Sequence, residues 1–311
     1  MLVTADRVFG GHLYVRNGKI AAISDDGTLP AREELDAAGL YVLPGMLDCH
    51  AHINDPGSTW REDLPHASEA AAVGGVTTLI DMPLQNTPPL TSADAFANKL
   101  AVFEGRSLVD YALWGGLVTD NAAELAGMEA AGAVGFKAFI APVSLGYSSV
   151  DMGLAREALF RIKAFGGLAG FHCEDHALIC AGEAKAKAGG GTRRAFLDSR
   201  PVVAEVIATA NVIELARETG ARVHICLVSH PRVAELVRRA QADGLSVTGE
   251  TCPHYLVFTE ENLLSCGTVF KCAPPLRTAE ARDGLWEYVL DGTLSCIGSD
   301  HSPSRPDEKD E

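Results

Sequence analysis

The chain has little positive charge to offer to a polyanion. Its 311 residues include 26 lysines and arginines against 41 aspartates and glutamates, which gives a formal net charge of −15. Binding to nucleic acid or to an anionic membrane surface needs basic patches. We therefore expect neither as a partner. The apolar share of 47% is enough for one large core or two modest ones.

Closely spaced cysteine pairs and long apolar runs are also missing. The eight cysteines are scattered, and none of them forms a Cys-x-x-Cys motif. Several lie in apolar segments, so we interpret them as reduced, buried thiols of a cytoplasmic protein. Residues 1–8 contain neither a basic region nor a long apolar stretch. The sequence therefore predicts no signal peptide and no transmembrane helix.

Strand-like and helix-like segments alternate from residue 44 onward. Eight apolar segments are typical of buried strands, at residues 46–50, 76–82, 111–118, 133–140, 167–172, 222–228, 245–250 and 294–299. Helical patterns separate them, for example at 92–103, 121–131, 154–164, 204–218 and 232–242. This order predicts an α/β fold, a (β/α)8 TIM barrel over residues 44–311, with its active site at the carboxyl ends of the strands.

Residues 1–43 have a different pattern. Short alternating segments occur at 8–9, 12–15, 20–23 and 40–43, and they are separated by the dipeptides Gly10-Gly11, Asn17-Gly18 and Asp26-Gly27. Such dipeptides are hairpin turn signals. We therefore predict a small antiparallel β unit ahead of the barrel, as part of a small β-sandwich domain.

A histidine pair closes the first barrel strand. His50 and His52 are two residues apart, so both imidazoles lie on one face of a strand and can bind one ion. A His-x-His pair by itself occurs often by chance. Lys137, His172 and Asp300 lie at the ends of later apolar strands and join the pair in one predicted polar site. The alternative for Lys137 is a surface lysine, the alternative for His172 is a core histidine, and the alternative for Asp300 is a helix cap.

Seven ordered motifs extend this pattern over nearly the whole chain. They are Pro44-Gly-Met-Leu-Asp-Cys-His-Ala-His-Ile-Asn54, Gly74-Gly-Val-Thr-Thr-Leu-Ile-Asp-Met-Pro83, Gly135-Phe-Lys-Ala-Phe139, His172-Cys-Glu-Asp175, Glu250-Thr-Cys-Pro-His-Tyr-Leu256, Lys271-Cys-Ala-Pro-Pro-Leu-Arg277 and Ser299-Asp-His-Ser-Pro303. With them the chain resembles the cyclic amidohydrolase branch of the amidohydrolase superfamily, which includes dihydroorotases, hydantoinases, dihydropyrimidinases and allantoinases. Met82-Pro83-Leu84 and the last three motifs are most similar to allantoinases. Dihydroorotases typically follow the histidine pair with Leu-Arg, whereas Ile53-Asn54 follows it here.

The resemblance implies metal-dependent hydrolysis of a cyclic amide or ureide, with allantoin to allantoate, a step of purine catabolism, as the expected reaction. It implies two divalent ions, zinc first and manganese, cobalt or iron as alternatives, bridged by a carboxylated Lys137. His50, His52 and Asp300 would bind one ion and His172 the other, with Asp300 as the general base that later returns its proton to the leaving nitrogen. Because a buried ammonium is costly, burial favours the neutral amine of Lys137 that captures carbon dioxide.

Three further polar residues are candidates for contacts with the substrate. Asn54 and Asn86 carry paired donor and acceptor groups that match a ureide, and His254 follows the seventh strand. Asparagine in loops rich in proline and glycine is also a common turn former. His254 is equally suited to orienting its neighbours.

Leu227 departs from the pattern of the resembled family. Relatives carry a histidine ligand at the end of the sixth strand, in a run similar to His-Ile-Cys-His-Leu-Ser, whereas this chain has His224-Ile-Cys-Leu-Val-Ser-His230. Leucine has no donor for a metal ion. His224 has the wrong parity and is expected to point toward the helices, so we expect His230 to replace the missing ligand. The alternative for His230 is a loop histidine that precedes Pro231 at a helix start.

The chain ends at Glu311, shortly after the Asp300 motif. By comparison with the resembled family we expect a barrel truncated before its last helix and a β unit without its carboxyl-terminal strands. Exposed apolar strand surface would then favour association, as a homo-oligomer such as a dimer or tetramer. A hydantoinase, dihydropyrimidinase or dihydroorotase-like hydrolase and a catalytically silent structural paralogue stay open as alternatives, because a fold does not fix a function.

Overall fold

The computed structural model describes residues 1–143 and 146–309, and the chain divides into the units Met1–Met46 and Leu47–Glu311. In the first unit, strand β1 (Leu2–Val3) pairs with β2 (Val8–Phe9), and β3 (His12–Arg16) pairs with β4 (Lys19–Ser24), both antiparallel. Membership of a β-sandwich domain stays a prediction.

One of the three expected hairpin turns is present. Asn17 and Gly18 connect β3 to β4 with φ angles of 52° and 72°, the left-handed conformations that a tight two-residue turn requires. Gly10-Gly11 and Asp26-Gly27 do not join paired strands, and residues 40–43 contribute only a single bridge, from Val42 to Leu2. Those expectations were wrong because a glycine dipeptide fixes local backbone conformation but not which strands pair.

The second unit contains the strands of the barrel. They are β5 (Met46–Ala51, which begins one residue before the boundary), β6 (Val76–Asp81), β7 (Asp110–Leu113), β8 (Gly115–Gly116), β9 (Phe136–Phe139), β10 (Leu168–His172), β11 (Arg222–Cys226), β12 (Val247–Thr251) and β13 (Cys296–Ile297). Strands β5 to β7 are hydrogen-bonded in order, and β8 to β13 form a second sheet in chain order. Because β7 and β8 flank Trp114 in one extended segment, these nine strands make eight barrel positions.

Backbone hydrogen bonds close the ring between its last and first positions. The Asp300 N–H donates to the carbonyl of His50 at 2.9 Å, and Ala51 forms a parallel bridge with His301. The closure confirms the predicted TIM barrel. It also places the Asp300 motif directly beside the histidine pair, because a strand end lies next to its hydrogen-bonded neighbour.

Helices follow the first seven barrel positions, whereas in the described residues β13 is followed by a 3₁₀ helix alone. They are α1 (Leu64–Val73), α2 (Ala93–Phe103), α3 (Leu125–Ala130), α4 (Met152–Ala164), α5 (His176–Ala188), α6 (Arg193–Ser199), α7 (Val202–Thr219), α8 (Pro231–Ala242), α9 (Pro253–Val257), α10 (Glu260–Cys266) and α11 (Ala279–Leu290), with 3₁₀ helices at Thr268–Phe270 and Pro306–Lys309. Helix α3 begins four residues later than expected, because the Asn121 side chain bonds Val118 N, Gly116 O and Thr91 O instead of starting a helix. Within the described ranges, no helix is long and apolar enough to cross a membrane.

Candidate active site

A cavity of about 530 Å³ opens at the carboxyl ends of the barrel strands. Five of the residues singled out in the sequence line it: His50, His52, His172, His254 and Asp300. The apolar part of the lining includes Leu84, Phe139, Leu227, Phe258 and Phe270. Its size falls within the roughly 300–1,000 Å³ of small-molecule sites.

His50, His52 and Asp300 form one cluster of donors. The Asp300 Oδ1 atom lies 3.2 Å from His52 Nε2 and 3.5 Å from His50 Nε2, and one ligand atom from each residue lies within 4.8 Å of the others. Asp300 has a φ of 52°, a left-handed conformation that non-glycine residues rarely adopt. Burial acts to raise the pKa of Asp300, but the hydrogen bond with His52 and the electrostatic effect of its basic neighbours lower it to about 2. The carboxylate is therefore ionised at neutral pH.

Glu250 orients His50, a role that the sequence analysis missed. This buried carboxylate on β12 is hydrogen-bonded to His50 Nδ1, which leaves Nε2 directed toward Asp300. Burial lowers the pKa of His50 and favours its neutral form. A neutral imidazole held through one nitrogen by a carboxylate is the usual arrangement of a metal-binding histidine. Glu250 is the first residue of the motif at residues 250–256, but nothing in that motif indicates a contact with His50.

Lys137 and His172 bring two buried nitrogen atoms to the same end of the barrel. The side chain of Lys137 is fully buried, and its Nζ has no oxygen or nitrogen partner in the described part of the chain. It lies 5.1 Å from the centre of the Phe139 ring, with the thiol of Cys226 as a weak neighbour. Its charge acts on both His50 and Asp300. Buried polar atoms are normally paired, so an unpaired amine here indicates a missing partner.

His172 has a similarly unused nitrogen. Its Nε2 lies 2.7 Å from Glu174 Oε2, while its Nδ1 is buried without a partner among the residues described. The ring stacks on Phe139 with centroids 5.1 Å apart, and Arg200 Nη1 holds Glu174 at 2.5 Å. The imidazole is thus fixed through one nitrogen and presents the other, which suits a metal ligand.

Leu227 lines the cavity at the end of β11, where the sequence analysis placed the missing ligand. It is buried, and its φ of 58° turns the chain as the strand ends. The expectation that His224 points toward the helices was wrong. His224 lies in the barrel interior, with its Nε2 3.3 Å from Glu250 Oε2. Cys226, two residues further along the strand, points to the same side and lies beside Lys137.

His230 is not brought to the cavity, so its expected role as the replacement ligand is corrected. It is the N-cap of helix α8, where its Nδ1 accepts a hydrogen bond from Arg232 N at 3.1 Å. It borders a second cavity of about 280 Å³ that also contains Arg277. Burial, together with the charges of Arg277 and Arg232, lowers its pKa to about 4. The capping alternative fits because a neutral imidazole can accept that bond.

Of the three expected substrate contacts, only His254 lines the cavity. Its Nε2 is buried without a partner in the described ranges, and burial lowers its pKa. The amide of Asn86 donates to Met82 O and Leu84 O at 3.3 and 3.2 Å and accepts from Lys99, so it is used within the fold. Asn54 is fully buried away from the cavity lining. Asn86 was misplaced because loop composition does not show on which side of a loop a residue lies, whereas the role of Asn54, whose two amide atoms have no partner in the described chain, stays a prediction.

A buried ion pair that the sequence analysis missed supports the histidine pair. Lys99 on α2 lies 2.5 Å from Asp81 at the end of β6, and both are fully buried. Lys99 donates to the carbonyl of Ile53 at 2.8 Å, and Asp81 accepts from the Ile53 N–H at 2.6 Å. The pair therefore clamps the segment that follows His52. Asp81 ends an apolar strand just as Asp300 does, which was a usable signal.

Comparison with known proteins agrees with this geometry. Residues 39–232 match the family model described as dihydro-orotase-like. The chain is 40% identical over 311 residues to an allantoinase from Streptomyces avermitilis, and the match covers 99% of this chain and 69% of that protein. An allantoinase from Escherichia coli K12 is 39% identical over 304 residues, covering 96% of this chain and 67% of the relative.

Solved structures show the same fold. The L-hydantoinase (dihydropyrimidinase) from Arthrobacter aurescens superposes with a TM-score of 0.94 at 37% identity, covering 99% of this chain and 69% of that one. The dihydropyrimidinase from Brevibacillus agri has a TM-score of 0.88 at 28% identity, with coverage of 98% and 68%. The chain therefore belongs to the dihydro-orotase-like family, in the cyclic amidohydrolase branch of the metal-dependent amidohydrolases.

Proposed function

We propose that this protein hydrolyses the ring of allantoin to give allantoate. The observation that carries the proposal is the convergence of His50, His52, Lys137, His172 and Asp300 at one end of the barrel, next to a cavity of small-molecule size. Relatives named allantoinase at 37–40% identity support this substrate over other cyclic amides. The protein would act in purine catabolism in the cytoplasm, as a homo-oligomer.

The donor set fits divalent metal ions. His50, His52 and Asp300 would hold one ion, and zinc suits two imidazoles with a carboxylate. His172 Nδ1 and a carboxylated Lys137 would serve a second ion, because both nitrogens are buried and unpaired in the described chain. When bound, the ions would activate water and polarise the ring carbonyl. Leu227 supplies no donor, so the second position would have one protein ligand fewer than the pattern of the resembled family implies.

Asp300 and His254 would carry out the proton transfer and position the substrate. Asp300 is ionised and lies in the cavity, so it would accept the proton of the attacking water and return it to the leaving ring nitrogen. His254 is kept neutral by burial, and its unpaired Nε2 would contact the substrate. The apolar side chains of Phe139 and Leu84, which line the cavity, would pack against the rest of the ring.

Metal removal tests the proposal. A chelator should abolish allantoin hydrolysis by the full chain, and added zinc should restore it. Asp300→Asn should lower turnover by about 100- to 10,000-fold, the usual contribution of a general base. Activity that survives chelation, or an Asp300→Asn variant with full turnover, would refute the proposed site.

Two alternatives would give different results, in a hydantoin assay and in the metal content of the chain. Hydantoinase activity is favoured by the superposition on the Arthrobacter aurescens enzyme, and it would appear as faster opening of hydantoins than of allantoin. A silent paralogue is favoured by Leu227, and it would appear as absent metal with an unmodified Lys137.

A further inference from the structure

Two thiols meet where the barrel closes. Cys49 lies on β5 and Cys296 on the neighbouring strand β13, and neither belongs to the lining of the active-site cavity. Cys49 Sγ is 3.4 Å from Glu250 Oε2, and one ligand atom each from Cys49, Cys296 and Glu250 lies within 4.8 Å of the others. Cys49 and Cys296 are both intermediate in exposure.

An imidazole completes the group. His224 Nε2 is 3.3 Å from Glu250 Oε2, the same oxygen that faces Cys49, and His224 also interacts with Cys296. The other ring nitrogen, Nδ1, lies 2.8 Å from the Thr248 hydroxyl. Holding one imidazole nitrogen with a neighbouring oxygen is how proteins aim the other nitrogen at a metal ion.

The spacing matches a tetrahedral zinc site. Zinc binds sulfur at about 2.3 Å and nitrogen or oxygen at about 2.0–2.1 Å, so two of its donors lie about 3.3–3.8 Å apart at the tetrahedral angle, with a sulfur pair at the upper end. The observed separations of 3.4 Å and 3.3 Å fall in this range.

We propose that Cys49, Cys296, His224 and Glu250 form a structural site for one zinc-class ion, separate from the active-site cavity. Both thiols would lose their protons when the ion binds, and no electron transfer is involved. The ion would tie β5 and β13 to β11 and β12. Because the other oxygen of Glu250 holds His50, the site would also stiffen that histidine. This inference is independent of the proposed substrate.

Cadmium is a suitable probe, because a cadmium–thiolate bond absorbs in the ultraviolet. The chain is first freed of metal with a chelator and then titrated with cadmium. A charge-transfer band should appear and saturate at one cadmium per chain for this site. The variant Cys49→Ser/Cys296→Ser should lose the band, whereas Cys180→Ser/Cys266→Ser, which alters two exposed cysteines, should keep it. A band that persists in the first variant, or is absent from the unaltered chain, would overturn the proposal.

A second measurement needs no variant and covers the case in which Cys49→Ser/Cys296→Ser fails to fold. Iodoacetamide is added to the unaltered chain with and without zinc, and alkylation is located by mass spectrometry of peptides. Zinc should slow alkylation of Cys49 and Cys296 at least tenfold and leave Cys180 unchanged. Equal alkylation rates with and without zinc would refute the site whatever the activity of the enzyme.

Discussion

Lys137 is the residue whose environment is hardest to explain without a further group. A fully buried amine beside a phenylalanine ring, with no oxygen or nitrogen partner in the described chain, is costly unless something completes it. Carboxylation would convert it to an anion that faces the cluster of His50 and Asp300. The same change would explain why an ionisable side chain is tolerated at this depth.

Lys137→Ala should therefore remove both the second ion and hydrolysis. We expect a loss of activity greater than the roughly 10- to 100-fold that follows removal of a group supporting a metal ligand. A short carboxylic acid such as propionate should restore part of the activity by taking the place of the carbamate. Lys187→Ala, on the exposed end of helix α5, is the control. Full activity of Lys137→Ala with both metals bound would show that the carbamate assignment is wrong.

Leu227→His should strengthen binding of the second metal. The side chain enters the cavity from the strand next to β10, which ends with His172, so an imidazole there adds a donor at the right end of the barrel. We expect an increase in affinity of about 10- to 100-fold. Leu227→Phe is the control, because it supplies a ring without a donor. Equal metal affinity in the two variants, measured by titration, would argue for a single-ion site.

At the scale of elements, His230 belongs to a helix and not to the metal site. His230→Ala removes the side-chain cap of α8 and should lower the free energy of unfolding by about 1 kcal/mol. His230→Asn should retain most of the stabilisation that the cap provides, because asparagine is a good capping residue. Denaturant unfolding measures both, and metal content should not change in either variant. Loss of a metal ion from His230→Ala would show instead that His230 is a metal ligand.

Elements were easier to predict than their contacts. The eight barrel positions follow from apolar segments, because burial on both faces leaves a clear pattern. The position of His230 could not be predicted in this way, since a few residues beyond a strand end the chain can turn toward the cavity or into a helix cap. His224 was misjudged for a related reason. The left-handed φ of Leu227 interrupts the alternation of side chains between the two faces of the strand. Counting back from Leu227 therefore assigned His224 to the wrong face.

At the scale of the whole molecule, the closed ring decides which residues can act together. Ordered motifs were sufficient to predict that His50 and Asp300 share a site, although 250 residues separate them in the chain. They were not sufficient to find Glu250 behind His50 or Lys99 beside Asp81. Those pairs depend on side-chain packing across the barrel, which leaves no periodic trace in the sequence.

The rate of ring opening across a substrate panel tests the central claim most directly. The zinc-loaded full chain is assayed with allantoin, hydantoin, dihydrouracil and dihydroorotate under identical conditions. We predict that allantoin is hydrolysed with a kcat/KM at least about tenfold above the others, a difference of 1.4 kcal/mol in transition-state binding. A preference for hydantoin, dihydrouracil or dihydroorotate, or no turnover of any of the four compounds by a chain that holds its metal, would contradict the account.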